Sequence, residues 1–430
     1  MPGMTLQDLH AAVSGSIVAI RGKALLQPAG GPGDKVFPPS HSVGERNRDR
    51  GAKYAREDRR LPGGEVETCV LLDSVQSQAN RMEEALEALW AAKKIALPVI
   101  SVSFADVAPD VGVVTSLSAP HRIADALLRD SLLDGKLFRL SDLGKSFTDS
   151  SLRNAAPLFR VCPTGLVFGL WDSTGPKGGL GAKFARALVS EIVGFGVQFG
   201  VKTESRIDPA GIVTASGKLF IKRRTTSADA HTWTLDASEA ELDGKSPLPW
   251  GSKKDKNGKW KHGDGKPSEA NHSNVPPTID EIAGGVTIDH AEHTAVLSLA
   301  ALRRLSFGKG DVEARTVLAA LGLLALLAAE DRGLDLRSRC LLVPQQDCAL
   351  KLEMIKKDGT PTPFDLDLDG AIALYGAAVA ALPTALQFKR GEAPLQPGET
   401  LAELQPSEKL KHLVARSREL AATGAEIEDS

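Results

Sequence analysis

The chain has 430 residues, of which 42% are hydrophobic and 25% charged; these are ordinary values for a folded globular protein and exclude wholesale disorder. Its 52 Lys plus Arg against 54 Asp plus Glu give a net charge of -2, which excludes a uniformly basic nucleic-acid binder but leaves room for a local basic surface. With only 13 Phe, 5 Trp and 2 Tyr, any nucleic-acid site is expected to rest on phosphate and sugar contacts more than on base stacking.

Taken in chain order, residues 16–27 predict a strand, with Val18, Ile20, Ala24 and Leu26 on one face and Arg21 and Lys23 on the other. Residues 28–68 read as a long loop or inserted subdomain: Pro and Gly first, then a basic run that includes Arg46, Arg48, Lys53 and Arg56. Residues 69–92 predict a helix, because Leu71, Leu72, Val75, Ala79, Met82, Leu86 and Leu89 recur at helical spacing. Strands are expected at 98–106, 111–116 and 158–171, and a helix at 120–133. A Gly-rich loop at 173–181 is expected to lead into a helix at 182–193, and 211–224 to form a hairpin. Residues 243–277 are poor in apolar side chains and rich in Lys, with Asn257-Gly258 as a hairpin-turn signal. Beyond them come a strand-rich stretch at 286–307, an apolar helix at 312–331, strands at 336–344 and 349–356 and a helix at 369–382. From Gly391 onward an acidic tail is expected, with eight Asp or Glu against four Lys or Arg.

This order fits an α+β sheet packed on helices, with a split βαβ, ferredoxin-like core as the specific expectation. Residues 1–390 would form that single core with insertions near 28–68, 94–155 and 226–285, and 391–430 the tail; several independent domains are the alternative. The four cysteines, Cys69, Cys162, Cys340 and Cys348, form no C-x-x-C pair and read as reduced thiols of a cytoplasmic protein. The longest apolar run, 317–329, is too short to span a bilayer, and the N-terminus carries no signal-peptide pattern.

Three features could carry chemistry; one is the pair of basic segments at 46–60 and 253–266, whose loops could contact phosphates, with a simply solvated charge run as the alternative. Another is the helix expected after Cys69, which begins Asp73-Ser-Val-Gln-Ser-Gln-Ala-Asn-Arg81. Gln76 and Asn80 share one face, as do Ser77 and Arg81, and neutral hydrogen-bonders with one Arg suit phosphates, ribose hydroxyls or base edges. An ordinary polar face is the alternative. The third feature is Ser173-Thr-Gly-Pro-Lys-Gly-Gly-Leu-Gly-Ala-Lys-Phe-Ala-Arg186. Its glycines would let backbone N–H groups approach an anion, and Lys177, Lys183 and Arg186 add charge. It fails the Walker pattern, because Lys183 follows Ala182 and Phe184 stands where Ser or Thr is needed. It also fails G-x-G-x-x-G, so a nucleotide enzyme is disfavoured and generic phosphate contact remains.

Three other patterns point away from function. Asp365-Leu-Asp367-Leu-Asp369-Gly370 imitates an EF-hand start, but its twelfth position is Gly376 instead of Glu; alternation of Leu and Asp suggests a strand edge. His290-Ala-Glu-His293 is not H-E-x-x-H, and on a strand its two His point to opposite faces. His121 has no nucleophile motif to pair with. No metal site and no cofactor are expected.

Three stretches resemble a known family: Leu25-Leu-Gln-Pro-Ala-Gly-Gly followed by Lys35-Val-Phe-Pro-Pro; Cys69-Val-Leu-Leu-Asp-Ser-Val-Gln-Ser-Gln-Ala-Asn-Arg-Met-Glu83; and the 173–186 loop. The family is the CRISPR-associated RAMP-superfamily backbone protein of type I-U, now type I-G, interference complexes, and the resemblance runs from about residue 10 to 380. It implies an RRM-like palm with inserted finger and thumb elements. Copies would stack as a helical filament along CRISPR RNA, presenting the spacer for pairing with target DNA. It implies no nuclease activity of the subunit's own, and as partners the large subunit, the RNA-processing subunit and a recruited helicase-nuclease, without a membrane. On this basis the expected RNA contacts are Gln76, Ser77, Asn80, Arg81, Lys177, Gly178, Gly179 and Lys183, with Arg21, Arg46, Arg48, Lys53 and Arg56 as further candidates. An enzyme acting on a phosphorylated ligand at the Gly-Lys loop, and a metal-dependent ribonuclease, are the alternatives.

Overall fold

A computed structural model describes residues 2–41, 53–172, 183–223, 232–255 and 257–422. It is a mixed α+β structure of two compact units. One comprises Met1–Asp49, Lys53–Phe199 and Gly285–Lys411; the other comprises Arg50–Ala52, Gly200–Gly284 and His412–Ser430.

The first unit is built on a nine-stranded antiparallel sheet. Its strands are β1 (Ile17–Pro28), β2 (Arg56–Arg60), β3 (Val66–Asp73), β4 (Leu188–Phe195), β5 (His290–Ser298), β6 (Leu334–Asp335), β7 (Leu341–Pro344), β8 (Lys351–Lys356) and β9 (Pro361–Phe364). Four helices belong with them: α1 (Leu6–Ser14), α2 (Val75–Ala91), α3 (Asp311–Asp331) and α4 (Leu368–Ala380). The order is β2-β3-β4-β5-β1-β7-β6, and β1 also pairs β8, which pairs β9. The two partners share one edge of β1: β8 runs beside Ile17–Lys23 and β7 beside Leu26–Pro28.

The strand β1 follows its alternation. Ile20, Ala24 and Leu26 are buried, while Lys23 and Leu25 are exposed and Arg21 is half-buried. The buried face meets α3, whose side chains from Val317 to Leu326 are all inside. By length and composition this helix could cross a bilayer, but 72% of its apolar window is buried in the unit, which makes it a core helix. Close approach explains two glycines: a Cβ on Gly22 would stand 3.4 Å from Leu326, and one on Gly322 of α3 would stand 3.2 Å from Leu297 of β5.

Local sequence and structure disagree at several places. Residues 69–73 belong to β3, and the helix starts only after Ser74, whose hydroxyl accepts from the Ser77 N–H at 3.2 Å. Residues 188–193, the larger part of the helix expected at 182–193, belong instead to the strand β4, held between β3 and β5. Residues 158–171, expected as a strand, hold the end of the short helix Ala156–Val161 and the helix Thr164–Val167, and only Leu170–Trp171 is strand. Pro157 in the first turn of the former and a continuous apolar run fit both states, and only packing decides between them. The stretch after Gly391, expected as a tail outside the core, includes Ala402–Pro406. That strand lies inside a five-stranded sheet, parallel to Ile100–Ser103 and antiparallel to Ser131–Leu133. Asp367 of the EF-hand-like run caps α4 by accepting the Gly370 N–H at 2.8 Å.

The second unit contains short antiparallel ribbons: Lys202–Arg206 with Val275–Asp280, Phe220–Ile221 with Trp233–Thr234, and Lys253–Lys254 with Trp260–Lys261. The last closes over the expected Asn257-Gly258 turn, with Gly258 at φ 77°.

Candidate functional site

Among the described residues, the first unit carries an open groove of about 880 Å³. Four parts of the chain meet there. The exposed side chains of Gln76 and Asn80 come from the first turns of α2. His121, Arg122 and Arg129 come from the segment after Pro120; Trp171, Asp172, Lys183 and Arg186 come from either side of the Gly-Lys loop; Arg304 comes from the turn after the short helix Leu299–Leu302 that follows β5. Among the described residues, five lining side chains are cations and one is a carboxylate. That carboxylate, Asp172, is already taken by Arg139 at 2.8 Å, and Arg129 is paired with Asp130 at 2.7 Å. The balance at Lys183, Arg186 and Arg304 is positive, which suits an anionic ligand.

The floor of the groove is a buried ion pair. Arg122, 6% exposed, holds Glu83, 1% exposed, through two hydrogen bonds at 2.6 and 2.7 Å. Its third nitrogen donates to the Gly169 carbonyl at 3.1 Å, and the guanidinium lies 5.6 Å from the Phe168 ring centroid. Arg122 has φ 55°, a left-handed conformation that costs a non-glycine residue about 1 kcal/mol or more. Burial pushes the Glu83 carboxyl up to about 7, with Arg122 pulling it back down. Arg186 donates to the Phe168 carbonyl at 3.0 Å, and desolvation, together with the neighbouring Arg122 charge, lowers its pKa. Two guanidiniums over one carboxylate leave an uncompensated charge at the floor.

Of the residues expected from sequence, Gln76, Asn80 and Lys183 come together in this groove. Ser77 and Arg81, on the neighbouring helix face, do not line it. Arg81 is committed inward: its Nε donates to Asp73 at 3.0 Å and its terminal nitrogen to the Leu336 carbonyl. Arg21 lies on the other face of the sheet, paired with Glu353 at 2.6 Å. Arg56 opens β2 with its guanidinium 5.7 Å from the Phe199 ring centroid, and Lys53 is exposed just before it; neither lines the groove. Arg46, Arg48, Lys177, Gly178 and Gly179 lie outside the described residues. Trp171, Arg122 and Arg304 also line the groove, and sequence reasoning did not single them out, because nothing local to each links it to the others. Among the described residues, no three His, Cys, Asp or Glu side chains gather as metal ligands.

A mixed α+β frame with a cationic, hydrogen-bonding groove is the class that fold and site define. Residues 20–199 match the family model described as CRISPR-associated protein GSU0053. The match supports a CRISPR-associated (Cas) protein, the class that the motifs at 25–39, 69–83 and 173–186 resemble, and the I-U subtype is consistent with that family. No curated protein matches the chain.

Proposed function

We propose that this chain is the CRISPR-RNA-binding backbone subunit of a type I-U (I-G) surveillance complex, and that the groove holds the guide by its phosphates and riboses. The observation that carries the reading is the convergence of Gln76, Asn80, Lys183, Arg186 and Arg304 on one open surface. Neutral amides and cations there contact a nucleic-acid backbone without reading its bases, as a subunit serving any spacer sequence requires.

The strand order supports reading the sheet as an RRM-like palm. In chain order the core elements are β1, α2, β4, β5, α3 and β8, and in space β8-β1-β5-β4, each neighbour antiparallel. That is the arrangement of the split βαβ, ferredoxin-like motif. The residues between β4 and β5, and those between α2 and β4, are then the finger and thumb insertions. In this reading the subunit is not itself an enzyme. It polymerises head to tail along the RNA in the cytoplasm, beside the large and RNA-processing subunits, and a recruited helicase-nuclease cuts the target.

The test is RNA carriage by the full chain, purified alone and with its CRISPR transcript, followed by affinity against salt. The expected result is protected RNA of uniform length, with log affinity falling by about 0.7 per neutralised phosphate for each tenfold rise in salt. Lys183→Glu and Arg304→Glu, both exposed, should each weaken binding for all sequences alike and lower that slope by about 0.7. A chain that carries no RNA in either preparation, or both variants binding as the parent does, would sink the reading. Turnover of a phosphorylated ligand, or RNA cleavage abolished by chelation, would replace it with an enzyme.

A further inference from the structure

We infer that Trp171 is a stacking platform for one nucleobase of the bound RNA, an inference that rests on the groove being the RNA site. Trp171 is 60% exposed, the most exposed aromatic side chain among the described residues. In a chain with so few aromatics, an indole left in water is conspicuous, since burying it removes a large apolar area from solvent. Its position is built. Trp171 ends the short strand Leu170–Trp171, which pairs with Lys183–Phe184, and Lys183 is its direct cross-strand partner. The neighbouring Leu170 and Phe184 are buried, so the base of this ribbon is anchored in the core. The Lys183 ammonium lies 5.2 Å from the indole centroid, a cation–π contact that can hold the ring in place.

The surroundings decide what stacks. A protein-docking tryptophan sits at the centre of a dry patch depleted of charge. Trp171 shares its groove with Lys183, Arg186 and Arg304. An aromatic face beside a row of cations is how single-stranded nucleic acid is held: bases stack, and the adjacent phosphates meet Lys or Arg. Stacking is tolerant of sequence, because every base has a π face, so the platform adds affinity without choosing a spacer. It also leaves the base's pairing edge free. Lys183 would then serve the ring and the neighbouring phosphate together.

The experiment uses the full chain and a single-stranded RNA of mixed sequence, beside the same RNA carrying an abasic ribose at successive positions. Trp171→Ala is expected to weaken binding by about 5- to 100-fold, with the salt slope unchanged because no phosphate contact is lost. Trp171→Phe should recover most of that affinity. RNA should quench a fraction of the tryptophan fluorescence that is missing from Trp171→Phe, and one abasic position should weaken the parent but not Trp171→Ala. If Lys183→Glu weakens binding while Trp171→Ala does not, the groove remains the RNA site and the stacking platform is wrong. If Trp171→Ala changes self-association and not RNA affinity, the platform is likewise wrong. If the parent binds no RNA, both readings fall together.

Discussion

Arg122→Ala should destabilise the first unit by about 3–5 kcal/mol, the usual cost of removing one partner of a buried ion pair. Glu83 is 1% exposed and receives both of its charged hydrogen bonds from Arg122. Without them the carboxylate must lose its charge or draw in water. The same truncation frees the Gly169 carbonyl from its donor and removes the guanidinium from Phe168. The loss should be larger at pH 8 than at pH 5, because at pH 5 Glu83 already carries a proton in the parent and the truncation strands no charge, whereas at pH 8 it leaves a buried carboxylate unpaired. Denaturant unfolding at the two pH values measures this. A cost below about 1 kcal/mol at both would show that the pair is not what holds these segments together.

The parent protein carries its own pH signature. Burial holds the Glu83 carboxyl at about 7 in the folded state, above its ordinary value of 4.5. Between those values the native state keeps a proton that the unfolded chain has released, so stability falls as pH rises through this window. The favourable contribution is complete below about pH 4.5 and gone above about pH 7. Glu83→Gln, which cannot titrate, should flatten the dependence of the melting temperature over that window. An unchanged pH profile in Glu83→Gln would assign the dependence to other groups.

Elements with strong periodicity were legible from their residues. The alternation of Ile20, Ala24 and Leu26 against Arg21 and Lys23 gives β1, and the spacing of Ala79, Met82, Leu86 and Leu89 gives the buried face of α2. The strand β4 was not legible. Residues 182–193 hold apolar side chains at spacings that also suit a helix, and its state is set by β3 and β5 on its two sides, which are distant in sequence. The site divides in the same way. Gln76 and Asn80, four residues apart, mark a helix face from sequence alone. Arg122 and Arg304 reach the same groove only because the sheet order brings their segments together. Arg81 shows the limit of a motif: sequence offers it as a free cation, but whether it is free depends on Asp73 and on the Leu336 carbonyl in another part of the chain.

Asp73→Ala should cost about as much as Arg122→Ala, again about 3–5 kcal/mol, because it strands more than one group. Asp73 is fully buried at the junction of β3 and α2. One carboxylate oxygen accepts from Gln78 at 2.7 Å and from Arg81 at 3.0 Å, and the other from Arg337 at 3.2 Å. The Gln78 carbonyl in turn accepts from the Ser190 hydroxyl at 3.0 Å. Ser190 lies 2.7 Å from His293, whose Nδ1 is 2.9 Å from Glu330 of α3. The chain of polar contacts thus runs from α2 across β4 and β5 to the core helix, and Asp73 fixes where α2 leaves the sheet. Gln76 and Asn80 owe their place in the groove to that anchor. Arg81→Ala therefore separates a positioning role from RNA contact. As a positioning residue it should lose stability, with a coupling to Asp73→Ala in a double-mutant cycle, and leave the salt slope of RNA binding unchanged. A slope reduced by about 0.7, with no coupling to Asp73, would instead make Arg81 a direct phosphate contact.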